Sequence, residues 1–261
     1  MILFLLGSMS PASGAPLRRV RVPGGPFLMG CGSEDPHCPV AQAARGRRSA
    51  SPSAFWIDRE EVRAGEYARC VEAGACTPAS TGHPSYGYSY GDPARAQVAI
   101  NGVSWDQSAA YCAWVGGRLP TEVEWEKAAR GTDGRPWPGG LKAPSCAEVV
   151  MRCGERARGG ALPPGSRRDL SPYGVRDMTG NLREWVADRW VADGPLVEAQ
   201  TEASGLPQEG GAALGDTRAI RGGAYNTLAA SAVVYYRQAG VRSRAAFDLG
   251  FRCAYDDPST R

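Results

Sequence analysis

The reactive potential of this 261-residue chain lies mostly in its eight cysteines. Six sit in close pairs, Cys31 with Cys38, Cys70 with Cys76 and Cys146 with Cys153, while Cys112 and Cys253 stand apart. An even number without any CxxC spacing points to disulfides in an oxidising compartment. Eight cysteines allow about 105 connectivities, so proximity alone leaves the pairing open. The two histidines, His37 and His83, are too few to complete zinc sites of common spacing. His83 lies among Gly, Pro and Tyr with no GxSxG motif after it, which gives a Ser/His/Asp triad no support. Nearby, Tyr86, Tyr88 and Tyr90 offer large contact area with polar tips, suited to docking a peptide or sugar.

The elements that must position such groups are legible in places. Ser104 to Gln107 and Thr121 to Glu124 are S/T-x-x-E/Q capping boxes, in which the hydroxyl takes an orphan N–H and the carboxylate or amide reaches back. They predict helices over 105–115 and 122–130. Gly116 and Gly117 end the first, Pro120 resets the chain, and Gly131 closes the second. Residues 61–73 read as a helix with Val62, Tyr67, Cys70 and Val71 toward one side, and 22–30 and 55–58 as short strands. With 34 Gly and 20 Pro but seven Trp and ten Tyr, the composition predicts one loop-rich α+β domain. The net charge of +3, from 30 basic and 27 acidic residues, is too balanced to imply nucleic acid. Residues 1–16 read as a clipped export signal or a disordered N-terminus, and no later segment approaches the ~18–20 apolar residues of a membrane span.

Several islands then recur in order: VPGGPFLMG (22–30), FWIDREEV (55–62), VSWDQSAAYCAWVGGRLPTEVEWEKAARG (103–131), SPYGVRDMTGNLREWVADRW (171–190), AIRGGAYN (219–226) and LGFRCA (249–254). Together they resemble the formylglycine-generating enzyme, or sulfatase-modifying-factor, family, over roughly residues 17–257. The resemblance implies a single C-type-lectin-like domain built on a small twisted sheet with a helical hairpin. It also implies a long-range disulfide between Cys112 and Cys253. A second family disulfide would involve Ala129 and a position near Gln238, where cysteines are missing. Arg118, Glu124, Trp125, Glu184, Trp185 and Arg221 read as framework residues that satisfy buried groups rather than as catalysts.

Active members bind copper through two cysteines five residues apart, just after the motif matched by Arg221 to Tyr225. Thiolates suit Cu(I) because both partners are soft. Here the window 226–238 reads NTLAASAVVYYRQ, and Ala224 replaces a serine of active members. Thr227 and Ser231, near where the cysteines would lie, do not ionise near neutral pH and are poor ligands for a soft metal. Neither a copper nor an iron site is expected. The resemblance does imply a calcium loop, with side-chain oxygens of Asp177 and Glu184 converging with the carbonyls of Gly180 and Leu182, a donor set suited to a hard cation. The reading is an exported, disulfide-bonded, monomeric binding or accessory module for a protein, peptide or glycan, without thiol-oxidase activity. The alternative is an oxidoreductase acting on a peptide through non-standard ligands.

Overall fold

The computed structural model describes residues 19–38, 40–43, 46–82, 86–153, 159–192 and 216–260. The N-terminal segment 1–16, His83 and residues 193–215 lie outside the described residues. Strands β1 (Arg19–Val22), β2 (Phe27–Met29), β3 (Arg48–Ala50) and β4 (Phe55–Asp58) precede helix α2 (Ala64–Glu72), with a short turn of helix, α1 (Val40–Ala43), between β2 and β3. Helices α3 (Trp105–Trp114) and α4 (Glu122–Arg130) follow, then β5 (Arg183–Arg189), β6 (Thr217–Arg221), β7 (Arg237–Val241), β8 (Leu249–Gly250) and β9 (Ala254–Asp256).

The hairpin of helices forms as its caps dictate. Ser104 and Thr121 each accept the N3 amide, and Gln107 and Glu124 each return to the cap. Gly116, at φ 80°, turns the chain out of α3 in the left-handed conformation that glycine adopts without strain. The helix read over 61–73 starts later, at Ala64, and has no hydroxyl cap: the Glu66 carboxylate takes the Arg63 N–H at 2.9 Å instead. Glu61 is drawn off into the core. The strand read over 22–30 breaks at Pro23 to Pro26, where Gly25 takes φ 108°, and becomes β1 and β2 in different sheets.

Among the described residues there are three small sheets rather than one. β1, β4 and β9 pair antiparallel, β2 and β3 form a two-stranded pair, and the largest has the order β7-β6-β5-β8, antiparallel except for β5 beside β8. In that sheet Trp185 faces Ile220, and Glu184 faces Arg221. Strand alternation therefore sends Trp185 and Ile220 to the core shared with Tyr111 and Cys112 of α3. The opposite face, with Val186 and Ala219, packs against Trp125 of α4.

Four disulfides join the eight cysteines as Cys31–Cys38, Cys70–Cys76, Cys112–Cys253 and Cys146–Cys153, and none is left free. The third ties α3 to the chain just before β9, across a sequence separation of 141. Such a set marks an oxidising compartment. No helix among the described residues is long and apolar enough to cross a membrane.

Candidate functional site

β6 ends at Arg221, which is fully buried. Its guanidinium is fixed by Glu122 at 3.2 Å, by Glu126 and by the Val234 carbonyl at 3.0 Å. An uncompensated charge here would be costly, so α4 supplies both carboxylates. The chain then turns sharply: Gly222 has φ 77°, and a Cβ on Gly223 would run into the Thr179 carbonyl. Two close approaches thus require the glycine pair.

The turn that follows is closed by Thr227. Its hydroxyl accepts the Ala224 N–H at 2.9 Å, and its own N–H donates to the Ala224 carbonyl at 2.8 Å. The Thr227 carbonyl in turn accepts the Arg152 N–H at 2.9 Å. Ser231 lies in a short 3-10 turn, Ala229–Ser231, and is exposed. Thr227 is therefore a turn-closing residue. The polar side chains in this window are hydroxyls, amides and the Arg237 guanidinium, while every cysteine of the chain is engaged in a disulfide. The residues present do not fit Cu(I), which needs soft thiolates.

Beside this turn the fold assembles polar side chains from distant parts of the sequence. Arg183, at the start of β5, donates to Asp248 at 2.5 Å and also to Gln238 of β7. The other Asp248 oxygen accepts from the Asn226 amide at 3.0 Å, and Gln238 donates to the Tyr236 hydroxyl at 3.2 Å. Phe247, next to Asp248, stacks against Tyr86 with ring centres 5.2 Å apart and planes 16° from parallel. Tyr86 keeps 52% of its surface exposed. Tyr225 lies beneath, buried, with its hydroxyl pushed up to about 12 by burial and by Asp248. A planar guanidinium, a carboxylate, two amides and an aromatic rim make a surface able to recognise amide, carboxyl and hydroxyl groups.

Of the three tyrosines singled out from sequence, Tyr86 alone combines a largely exposed ring with this cluster. Tyr88 fills the space over Gly82 and Gly102, and Tyr90 packs edge-on against Tyr67 with centres 6.0 Å apart. Arg183, Asn226, Tyr236, Gln238, Phe247 and Asp248 escaped the sequence reading, because no local motif links them. The available signals were positional: Arg183 and Asn226 lie inside the 171–190 and 219–226 islands, and Asp248 directly precedes LGFRCA.

The loop Asp177 to Glu184 is braced from within the protein. Asp177 and Asn181 both adopt left-handed backbone, φ 59° and 64°, a conformation that Asp and Asn tolerate better than most. Asp177 accepts the Gly165 N–H at 2.5 Å. Glu184 takes the Arg252 guanidinium at 2.6 Å and the Trp125 indole N–H at 2.8 Å. Glu61 accepts from the Asn181 amide at 2.6 Å and from the Leu182 N–H at 3.0 Å. Gly180 packs under Val149 and the Val150 carbonyl. Burial pushes Asp177 up to about 6 and Asp169, which accepts the Thr179 N–H, up to about 7. Burial, with Asp177 and Glu184 close by, holds Glu61 well above the usual carboxylate range. A calcium ion on this loop would have to share Glu184 with Arg252.

The framework residues have structural partners. Arg118 makes paired bonds to Glu124 at 2.6 and 2.7 Å, and the Trp185 indole donates to the Val103 carbonyl at 3.0 Å. Arg252, Glu122, Glu126 and Glu61 complete these networks and were not singled out from sequence.

A family model described as the sulfatase-modifying factor enzyme 1-like domain matches residues 9–257. The formylglycine-generating enzyme of Thermomonospora curvata is 30% identical over 292 residues, covering 91% of this chain and 93% of that protein. The inactive C-alpha-formylglycine-generating enzyme 2 of Bos taurus is 33% identical over 165 residues, covering 58% and 48%. The chain spans only 25% of the serine/threonine-protein kinase pkn1 of Chlamydia caviae, to which it is 32% identical over 163 residues, 62% of its own length. Among solved structures, PvdO from Pseudomonas aeruginosa superposes with a TM-score of 0.73 at 23% identity, over 92% of this chain and 94% of that one, a likeness of fold.

Proposed function

The chain belongs to the sulfatase-modifying factor enzyme 1-like family, and on that premise we propose that it is an exported relative without copper thiol-oxidase activity, acting as a binding or accessory module. The observation that carries this reading is Thr227. In the turn after Arg221 to Tyr225, where active members place thiolates, this chain places a hydroxyl that closes its own turn. A hydroxyl bound to a backbone amide supplies neither a soft ligand nor a redox-active sulfur. A relative named as inactive shows that the family includes members described in that way.

The ligand is a peptide, protein or glycan, held on the face formed by Arg183, Asn226, Asp248 and Tyr86. Arg183 and Asp248 already satisfy one another, so a ligand would exchange one paired polar contact for another and gain mainly from the Tyr86 and Phe247 rings. The protein works as a monomer in the periplasm, at the cell surface or in the medium. We propose calcium as a structural ion of the Asp177 to Glu184 loop; side-chain oxygens of Asp177 and Glu184 and the carbonyls of Gly180 and Leu182 would hold it, with Glu184 shared with Arg252. Peptide and glycan arrays probed with the parent protein, Arg183→Ala and Tyr86→Ala test the recognition face. Ligands captured by the parent should bind both variants about tenfold or more weakly, the loss of one hot-spot contact. Capture undiminished in both variants would remove this face from the reading.

A further inference from the structure

Accessibility separates one disulfide from the other three. Cys31, Cys70, Cys76, Cys112 and Cys253 are buried and Cys38 is half-buried against the core, so each of these three bonds has at least one buried cysteine. Cys146 and Cys153 are both partly exposed. Their ring nevertheless holds buried residues at its centre, Val149, Val150 and Met151.

That ring is stitched to the recognition face by its main chain. The Val150 carbonyl accepts the Asn181 N–H at 2.8 Å, and the Arg152 N–H donates to the Thr227 carbonyl at 2.9 Å. Asn181 passes the connection on, since its carbonyl accepts the Tyr225 N–H at 2.9 Å. Residues on both sides of Asn226 are thus anchored to a segment whose ends are joined by Cys146–Cys153, with a sequence separation of seven.

We propose that Cys146–Cys153 is a thiol–disulfide exchange site, and that opening it loosens the turn 224–227. A thiolate from a small thiol or a redox protein attacks one sulfur, forming a mixed disulfide, and the other sulfur leaves as a thiolate that takes up a proton. A second thiol then attacks the mixed disulfide. The net change is two thiols oxidised to one disulfide and Cys146–Cys153 reduced to two thiols. Attack requires access, and Cys146–Cys153 is the one bond with neither cysteine buried; Cys31–Cys38, whose Cys38 is half-buried, is its nearest competitor. With the ring open, Val150 and Arg152 lose the constraint that presents them to Asn181 and Thr227. A consequence for ligand capture rests on the recognition face proposed above; the loosening itself does not.

The test exposes the folded protein to increasing reduced glutathione, traps thiols with iodoacetamide, and maps them by peptide mass alongside amide hydrogen exchange. Cys146 and Cys153 should be alkylated first, with the other six cysteines still paired. Exchange at Asn181, Arg152 and Tyr225 should then rise about fiftyfold, the local counterpart of releasing a ring of this size. The Cys146→Ser/Cys153→Ser variant should show the same faster exchange without any reductant, and near-UV circular dichroism checks that its core is intact. Opening of another disulfide first would overturn the proposal. So would opening of Cys146–Cys153 with unchanged exchange at the three amides. Faster exchange with array binding unchanged would instead count against the recognition face alone.

Discussion

Replacing Cys112 and Cys253 together by alanine removes the cross-link of sequence separation 141 between α3 and the final strand. Both side chains are fully buried. Alanine is the cleaner substitution, because a serine hydroxyl there would be buried without an assured partner. In the chain-entropy relation, a ring of this size is worth about 5 kcal/mol at 25 °C, against about 2.4 kcal/mol for a ring of seven. Removing the two buried sulfur atoms leaves small voids that add about 1 kcal/mol. The double variant should therefore lose about 5–6 kcal/mol, and Cys146→Ala/Cys153→Ala about 2 kcal/mol. Urea unfolding without reductant reads both, since Trp125, Trp137 and Trp185 are fully buried and report loss of the core through their fluorescence. At a typical slope the difference between the variants is a separation of about 1–2 M in midpoint. Equal costs for the two pairs, or a Cys112/Cys253 variant within about 1 kcal/mol of the parent, would refute the loop-length argument.

Arg221→Ala would leave Glu122 and Glu126 buried without their shared cation and should cost about 3–5 kcal/mol, visible as a lowered thermal midpoint. Burial, reinforced by Glu122, pushes Asp188 up to about 7 from its ordinary 3.8, so the folded state holds this proton more tightly than the unfolded one. Its contribution is fully present below about 3.8 and is lost as the pH rises toward 7; between pH 4 and 8 the parent should lose stability relative to Asp188→Asn, and parallel curves would dismiss the effect. Chelation should lower the thermal midpoint if the Asp177 to Glu184 loop holds calcium, and Asp177→Ala should abolish that response. A parent protein indifferent to chelator would end the calcium proposal.

The hairpin of α3 and α4 was legible to within a residue because capping is local: Ser104 to Gln107 and Thr121 to Glu124 carry their whole signal within four positions. α2 was placed less well, since Arg63 with Glu66 is an unusual cap and Glu61, a plausible first-turn acid, is claimed by Asn181 and Leu182 far along the chain. The break at Pro23 to Pro26 was written in the sequence, yet β1 and β2 join different sheets because of partners at Phe55 to Asp58 and Arg48 to Ala50. The family resemblance implied the Cys112–Cys253 pair, whereas the local pairs, left open by proximity alone, are seen only in the structure. The recognition face was illegible for a physical reason: Arg183, Asn226, Gln238 and Asp248 meet only after β5, β6, β7 and the chain before β8 have paired.

On the reading proposed above, the Thr227 turn denies this chain the oxidative conversion of a substrate thiol, an activity that can be measured directly. The protein is incubated in air with Cu(I) and a cysteine-containing peptide of sulfatase type, and the peptide mass is followed. The mass is predicted to stay that of the thiol or its disulfide. Turnover to the aldehyde, absent without protein and retained in Thr227→Ala, would show that a different set of ligands performs the chemistry and would contradict the non-catalytic reading.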